Sequence, residues 1–292
     1  MIKTLAVVAL LAALSGALMQ AQAQTVPAQP STGDIANPDV QALLATLDLP
    51  QVIAVMHEEG IAYGEKLEDD LFPGAGGTKW AAKVATIYDA DAMNRAFSAG
   101  FAAALPPGGR AAMLAFFGSE LGQRVIELEL SARLALLDEA VEDVANQTRD
   151  AMRAGDGNGS GARLDLLTGF VEANDLIESN VSGAMNSNYA FYRGLVDGGA
   201  FPQDVPEAEI MADVWSQEAQ IRTDTTDWLY AYLGMAYQPL SDAELQAYID
   251  FSRTPEGRGL NQALFTAFDG MFVDISHDLG AAAAQFMIGE DI

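Results

Sequence analysis

From Val40 onward, apolar residues recur three and four positions apart through long alanine- and leucine-rich stretches, and alternating β-branched runs are almost absent. That spacing is the period of amphipathic helices, so it predicts an all-α fold. Leu121, Val125, Leu128, Ala132 and Ala135 form one stripe, and Leu130, Leu134, Leu137, Val141 and Val144 form a second beside it. Read as one helix, this segment is apolar over a wide arc and should be buried on two sides. Breaks are predicted from Phe72 to Gly77 and from Gly155 to Gly161, the latter being the most glycine-rich stretch of the chain. The second break separates a helical module at 39–154 from another at 162–292, with 155–161 as a linker; each module reads as a bundle of about five helices.

The halves resemble each other. A shift of 135 positions lays Leu105 on Leu240, Ala112 on Ala247, Phe116 on Phe251, Gly122 on Gly257 and Ala132 on Ala267, with Trp80 on Trp215 and Asp89 on Asp224. The period is too long for a solenoid unit, so an internal duplication into two related helical-bundle modules is expected.

The repeated unit has local logic. In the second half, Ser241 and Glu244 have the spacing of a capping box, ahead of Leu245, Tyr248, Ile249 and Phe251. Thr254, Pro255 and Glu256 then supply an N-cap, a proline at the first helical position and a first-turn carboxylate, so the chain turns sharply and restarts. Gly257 would let the restarted helix approach a neighbour closely. The first half has Ser119 and Gly122 in the same places but Glu120 instead of the proline, and Pro106 to Gly109 instead of the capping box. A looser turn is expected there.

The run Leu240-Ser241-Asp242-Ala243-Glu244-Leu245, followed by Phe251-Ser252-Arg253-Thr254-Pro255-Glu256-Gly257-Arg258, resembles the domain-of-unknown-function family 2059. The likeness extends over 240–279 and more faintly over 105–137. It implies an exported, helical bacterial protein. No catalytic residues are established for that family, so the resemblance implies location and fold but no activity.

The N-terminus agrees with export. Lys3, the apolar run Leu5 to Leu18, and Ala21 and Ala23 in an Ala-x-Ala arrangement read as a signal peptide over 1–23, cleaved after Ala23. The apolar run is too short for a bilayer-spanning helix, which takes about 20 residues. Residues 24–38 read as a flexible leader rich in Gln, Pro, Ala, Ser and Thr. A periplasmic or secreted location follows, with no membrane span after the signal is removed.

Charge and composition narrow the partners. With 41 acidic against 15 basic residues and a formal charge of -26, the surface repels phosphate backbones and anionic lipid, which argues against nucleic acid. The chain has no cysteine, hence no disulfide, thiolate metal site or cysteine nucleophile.

Catalytic motifs are not evident. His57 precedes Glu58 and Glu59, but Ile61 occupies the place where a zinc-protease motif has its second histidine. Asp274, His277 and Asp278 share a helix face; this spacing fits a weak divalent-metal site, but it also fits an ordinary exposed face, which is the reading taken. Asp156, Asn158, Ser160 and Gly161 imitate the start of a calcium loop, but Leu167 replaces the glutamate such a loop ends on. Gly157, Gly159 and Ala162 match a dinucleotide-loop pattern with no strand before it. Asp197, Asp204, Glu207, Glu209, Asp213 and Glu218 read as a solvated acidic face. Tyr189, Phe191, Tyr192, Trp228, Tyr230, Tyr232 and Tyr237 read mostly as core, with the tyrosines available to line a groove. No catalytic, cofactor-binding or metal-binding residue is assigned and no cofactor is expected. The function expected is non-enzymatic binding of a protein or envelope component through helical grooves, the alternative being a small-molecule or lipid carrier with an apolar interhelical pocket.

Overall fold

The computed structural model describes residues 35–155, 160–201 and 205–289. The expected signal peptide, most of the expected leader (24–34), Asp156, Gly157, Asn158, Gly159 and Asp204 lie outside these residues. The fold is all-α, with no strand among the described residues.

The helices run α1 (Pro38–Thr46), α2 (Leu49–Leu71), α3 (Gly77–Ile87), α4 (Ala90–Ala104), α5 (Arg110–Phe117), α6 (Glu120–Ala135) and α7 (Glu139–Ala154), then α8 (Ser160–Ala173), α9 (Leu176–Asp197), α10 (Glu207–Ser216), α11 (Glu218–Ala236), α12 (Asp242–Ser252) and α13 (Pro255–Met287). Their starts are chemically marked. The side chains of Asn37, Asp89, Ser119, Asp138, Ser241 and Thr254 each accept a hydrogen bond from a first-turn N–H that has no partner within its helix.

The 33-residue α13 is the spine. At about 1.5 Å per residue it is about 50 Å long, and it packs along α9 and α4, with further contacts to α3, α5 and α12. Small residues permit the closest approach. A Cβ on Gly194 would lie 2.1 Å from the carbonyl oxygen of His277, and one on Gly280 the same distance from that of Phe191. Around this axis one continuous core runs from Val40 to Ala284 and draws side chains from both sides of Gly155, including Phe97, Phe101, Phe117, Phe170, Tyr237 and Leu264. Phe97 of α4 lies 4.4 Å from Phe268 of α13 between ring centres, which ties the two sides together.

No single helix among the described residues is long and apolar enough to cross a membrane. The α1–α2 pair passes that test on length and composition together, but it is bent by 57° and buries Val40, Leu43, Ile53 and Met56 in the core.

Two sequence expectations need correction. The double-striped segment is not one helix buried on two sides. Asp138 caps a new helix by accepting a hydrogen bond from the Ala140 N–H, so the chain bends between α6 and α7. The second stripe leaves the core from the last turn of α6 onward: Leu134, Leu137 and Val144 are 47%, 51% and 61% exposed. The turn at Ser119 is also no looser than the one at Thr254. Ser119 Oγ accepts from the Gly122 N–H at 3.1 Å and donates to the Phe116 carbonyl at 2.6 Å; Thr254 Oγ1 accepts from the Gly257 N–H at 3.0 Å and donates to the Phe251 carbonyl at 2.7 Å. The cap hydroxyl and the glycine close this turn, so the proline is dispensable.

Candidate functional site

α6 carries the chemistry. Val125, Glu129 and Ala132 follow at helical spacing on its core-facing side, and Arg133 lies four residues after Glu129. Val125, Ala132 and Arg133 are buried, and Glu129 is partly so. Glu129 and Arg133 line a cavity of about 50 Å³ whose other walls are largely aliphatic or aromatic: Leu47 after α1, Val52 and Met56 of α2, Phe117, Tyr232 of α11, and Leu264 and Phe268 of α13.

Three tyrosines close on Glu129 from other helices. Tyr237 donates its hydroxyl hydrogen bond to Oε1 at 2.5 Å, Tyr248 of α12 donates to the same oxygen at 3.3 Å, and Tyr232 donates to the Glu129 backbone carbonyl at 3.1 Å. Burial destabilises the charged carboxylate and the two tyrosine hydrogen bonds restore part of the loss, which leaves its pKa pushed up to about 7. The hydroxyls of Tyr232, Tyr237 and Tyr248 are pushed well above their usual range, by burial first and then by the Glu129 charge. They remain neutral donors.

Arg133 is a buried cation with a matched partner. Its side chain is 3% exposed, and it reaches Glu59 of α2 in a bidentate pair, Nε to Oε1 at 2.9 Å and Nη2 to Oε2 at 2.6 Å. The charges of this pair cancel. Glu129 is thus the carboxyl among the cavity-lining residues whose described hydrogen-bond partners are neutral donors. A group that titrates near neutrality inside an apolar cavity can bind a cation or a donor, or transfer a proton.

Glu129 and Arg133 belong to no motif of the sequence. The available signal was a carboxylate four residues after Val125 and three before Ala132, within the apolar stripe. Tyr232 and Tyr237, read as core tyrosines able to line a groove, are buried, and Tyr232 lines the cavity.

The residues singled out earlier lie elsewhere. Asp274, His277 and Asp278 line a broad open depression between α9 and α13, together with Tyr189, Arg193 and Asp197. His277 Nε2 is 3.0 Å from Asp197 Oδ2 and its Nδ1 is 3.6 Å from Asp278 Oδ1, while Arg193 also reaches Asp197, at 3.4 Å. The His277 contact, more than the Arg193 charge, holds the Asp197 carboxyl below its ordinary range. Among the described residues, no group of three or more His, Asp or Glu side chains converges as a metal ion requires. Part of the acidic run is engaged rather than merely solvated: Glu207 accepts from the Tyr189 hydroxyl at 2.9 Å and Glu218 pairs with Arg222 at 2.7 Å. His57 sits on α2 with Nδ1 2.6 Å from the Tyr88 carbonyl oxygen, a packing role between α2 and the end of α3.

Compared with known proteins, the chain matches no family model, no curated protein and no solved structure.

Proposed function

We propose that the chain is an exported, non-enzymatic binding protein of the bacterial periplasm that engages a partner protein or envelope component through apolar helix surface. The observation that carries this reading is the bend between α6 and α7. Beyond it Leu137 and Val144 stand out of the core, next to Leu134 in the last turn of α6, and large apolar side chains concentrated on one exposed segment mark an interaction surface. The signal-like N-terminus and the resemblance to family 2059 support export, and the matched turns at Ser119–Gly122 and Thr254–Gly257 support descent from an internal duplication. A photo-crosslinking residue at position 137, in intact cells, should give one adduct of defined mass that disappears when Leu134 and Val144 are changed to Ser. Adducts no different from those of a control site at exposed Ala247 would overturn the reading. The intact mass of the exported protein should correspond to a chain beginning at Gln24.

A second reading, a carrier or receptor of a small molecule, is favoured by Glu129 in its apolar cavity. At about 50 Å³ the cavity is too small for a lipid chain, which restricts this reading to small ligands.

A further inference from the structure

Resting on the second reading, we propose that the cavity lined by α2, α6, α11 and α13 binds a small primary alkylammonium ion, with its alkyl chain among Val52, Met56, Leu264 and Phe268 and its ammonium on the Glu129 carboxylate.

Three features select this ligand. The first is charge. Arg133 is paired with Glu59 behind it, whereas Glu129 is held by neutral tyrosine hydroxyls, so Glu129, Arg133 and Glu59 together carry one net negative charge once Glu129 is ionised. An anionic ligand would meet that charge in a medium that screens it poorly, whereas a cation neutralises it. The second is hydrogen bonding. A carboxylate accepts about four hydrogen bonds, and Tyr237 and Tyr248 supply two of them. An ammonium brings three donors. The third is size. A cavity of about 150 Å³ accommodates benzene and a water takes at least about 10–15 Å³ on this measure, so 50 Å³ suits a ligand of about two to four heavy atoms. Propylamine has four.

Protonation should govern the preference. The groups facing Glu129 are Arg133 from α6, Tyr232 and Tyr237 from the α11 end and Tyr248 from α12, with Glu59 of α2 behind Arg133, while α13 contributes Leu264 and Phe268. The tyrosines stay neutral well above pH 8, so Glu129 is the group whose charge changes between pH 5.5 and 8.

The test is a titration of the purified protein and its Glu129→Gln variant with propylamine, 1-propanol and propionate, read from the methyl NMR signals of Leu47 and Met56 at pH 5.5 and pH 8. Propylamine should bind the unaltered protein at least tenfold more tightly than propanol at pH 8. That preference should vanish at pH 5.5 and in Glu129→Gln. Equal affinity for propylamine and propanol at pH 8 overturns the ammonium assignment while leaving a small-ligand cavity intact. Preference for propionate overturns it in favour of Arg133. Binding of none of the three overturns both the assignment and the small-ligand reading.

Discussion

Phe116 and Phe251 stack face to face, 4.0 Å between ring centres and 7° from parallel, each at the end of a helix that turns through a hydroxyl cap into a glycine two residues inside the next. The second helix of each turn leans on the backbone of the first. At Gly122 an added Cβ would lie 2.2 Å from the Phe116 carbonyl oxygen and 2.5 Å from the Phe117 Cα; at Gly257 it would lie 2.2 Å from the Phe251 oxygen and 2.8 Å from the Ser252 Cα. Backbone atoms cannot swing aside, so alanine at either position must open its turn and part the two rings. Gly122→Ala and Gly257→Ala should each cost about 2–3 kcal/mol of unfolding free energy, typical of forced overpacking. Urea denaturation measures this directly. A loss at Gly257 with none at Gly122 would mean that the two turns are not equivalent.

Glu129 makes stability depend on pH in a defined direction. Its pKa is about 7 in the folded protein against 4.5 ordinarily, so the folded state holds an extra proton between those values. A raised folded pKa gives stability that is complete below the unfolded value and is lost as pH rises through the folded one. The shift corresponds to about 3 kcal/mol lost between pH 4.5 and 8, at about 1.4 kcal/mol per unit. Other carboxyls titrate as well, so the measured quantity is the difference between the protein and Glu129→Gln. That difference should move against the unaltered protein by this amount across the window. A flat difference would show that the carboxyl is better solvated than its surroundings suggest.

Arg133 and Glu59 test whether the neighbouring pair is structural. Replacing Arg133 by Met leaves Glu59, 26% exposed, without its bidentate partner in a largely buried setting. Removing one member of a buried pair costs about 3–5 kcal/mol, and the partial exposure of Glu59 places this case at the lower end. Adding Glu59→Gln to Arg133→Met should recover part of the loss, because the stranded charge is removed. Thermal melting of the two single variants and the double variant completes the cycle.

Local chemistry was legible in the sequence, and long-range geometry was not. The capping box at Ser241 and Glu244, and the start at Thr254 and Pro255, are present because both depend on atoms within four residues of each other. The stop after Leu136 was also local, written in Asp138, but the apolar stripe running on to Val144 masked it. Glu129 lay in view on the buried stripe. Its meaning depends on Tyr232, Tyr237 and Tyr248, which are 103, 108 and 119 positions away, and no periodicity connects residues so distant. Arg133 depends likewise on Glu59, 74 positions away.

The long helix α13 separates two kinds of glycine. Gly280 stands where α13 crosses α9 so closely that a Cβ would lie 2.1 Å from the Phe191 carbonyl oxygen and 3.0 Å from the Leu195 nitrogen, while Gly194 on α9 meets the His277 carbonyl in the same way. Gly270, ten residues earlier on the same helix, has nothing within 4 Å of the corresponding point. Alanine restricts the unfolded chain more than glycine and fits a helix better, so Gly270→Ala should stabilise the protein by about 0.5–1 kcal/mol. Gly280→Ala gains the same intrinsic term but forces the two helices apart along the most extensive contact in the fold. The net effect there should be a loss of about 2–3 kcal/mol, because overpacking against backbone outweighs propensity. Guanidinium denaturation of the two variants should move their midpoints in opposite directions. If both are stabilised, α9 and α13 do not cross as closely in solution as the two facing glycines require.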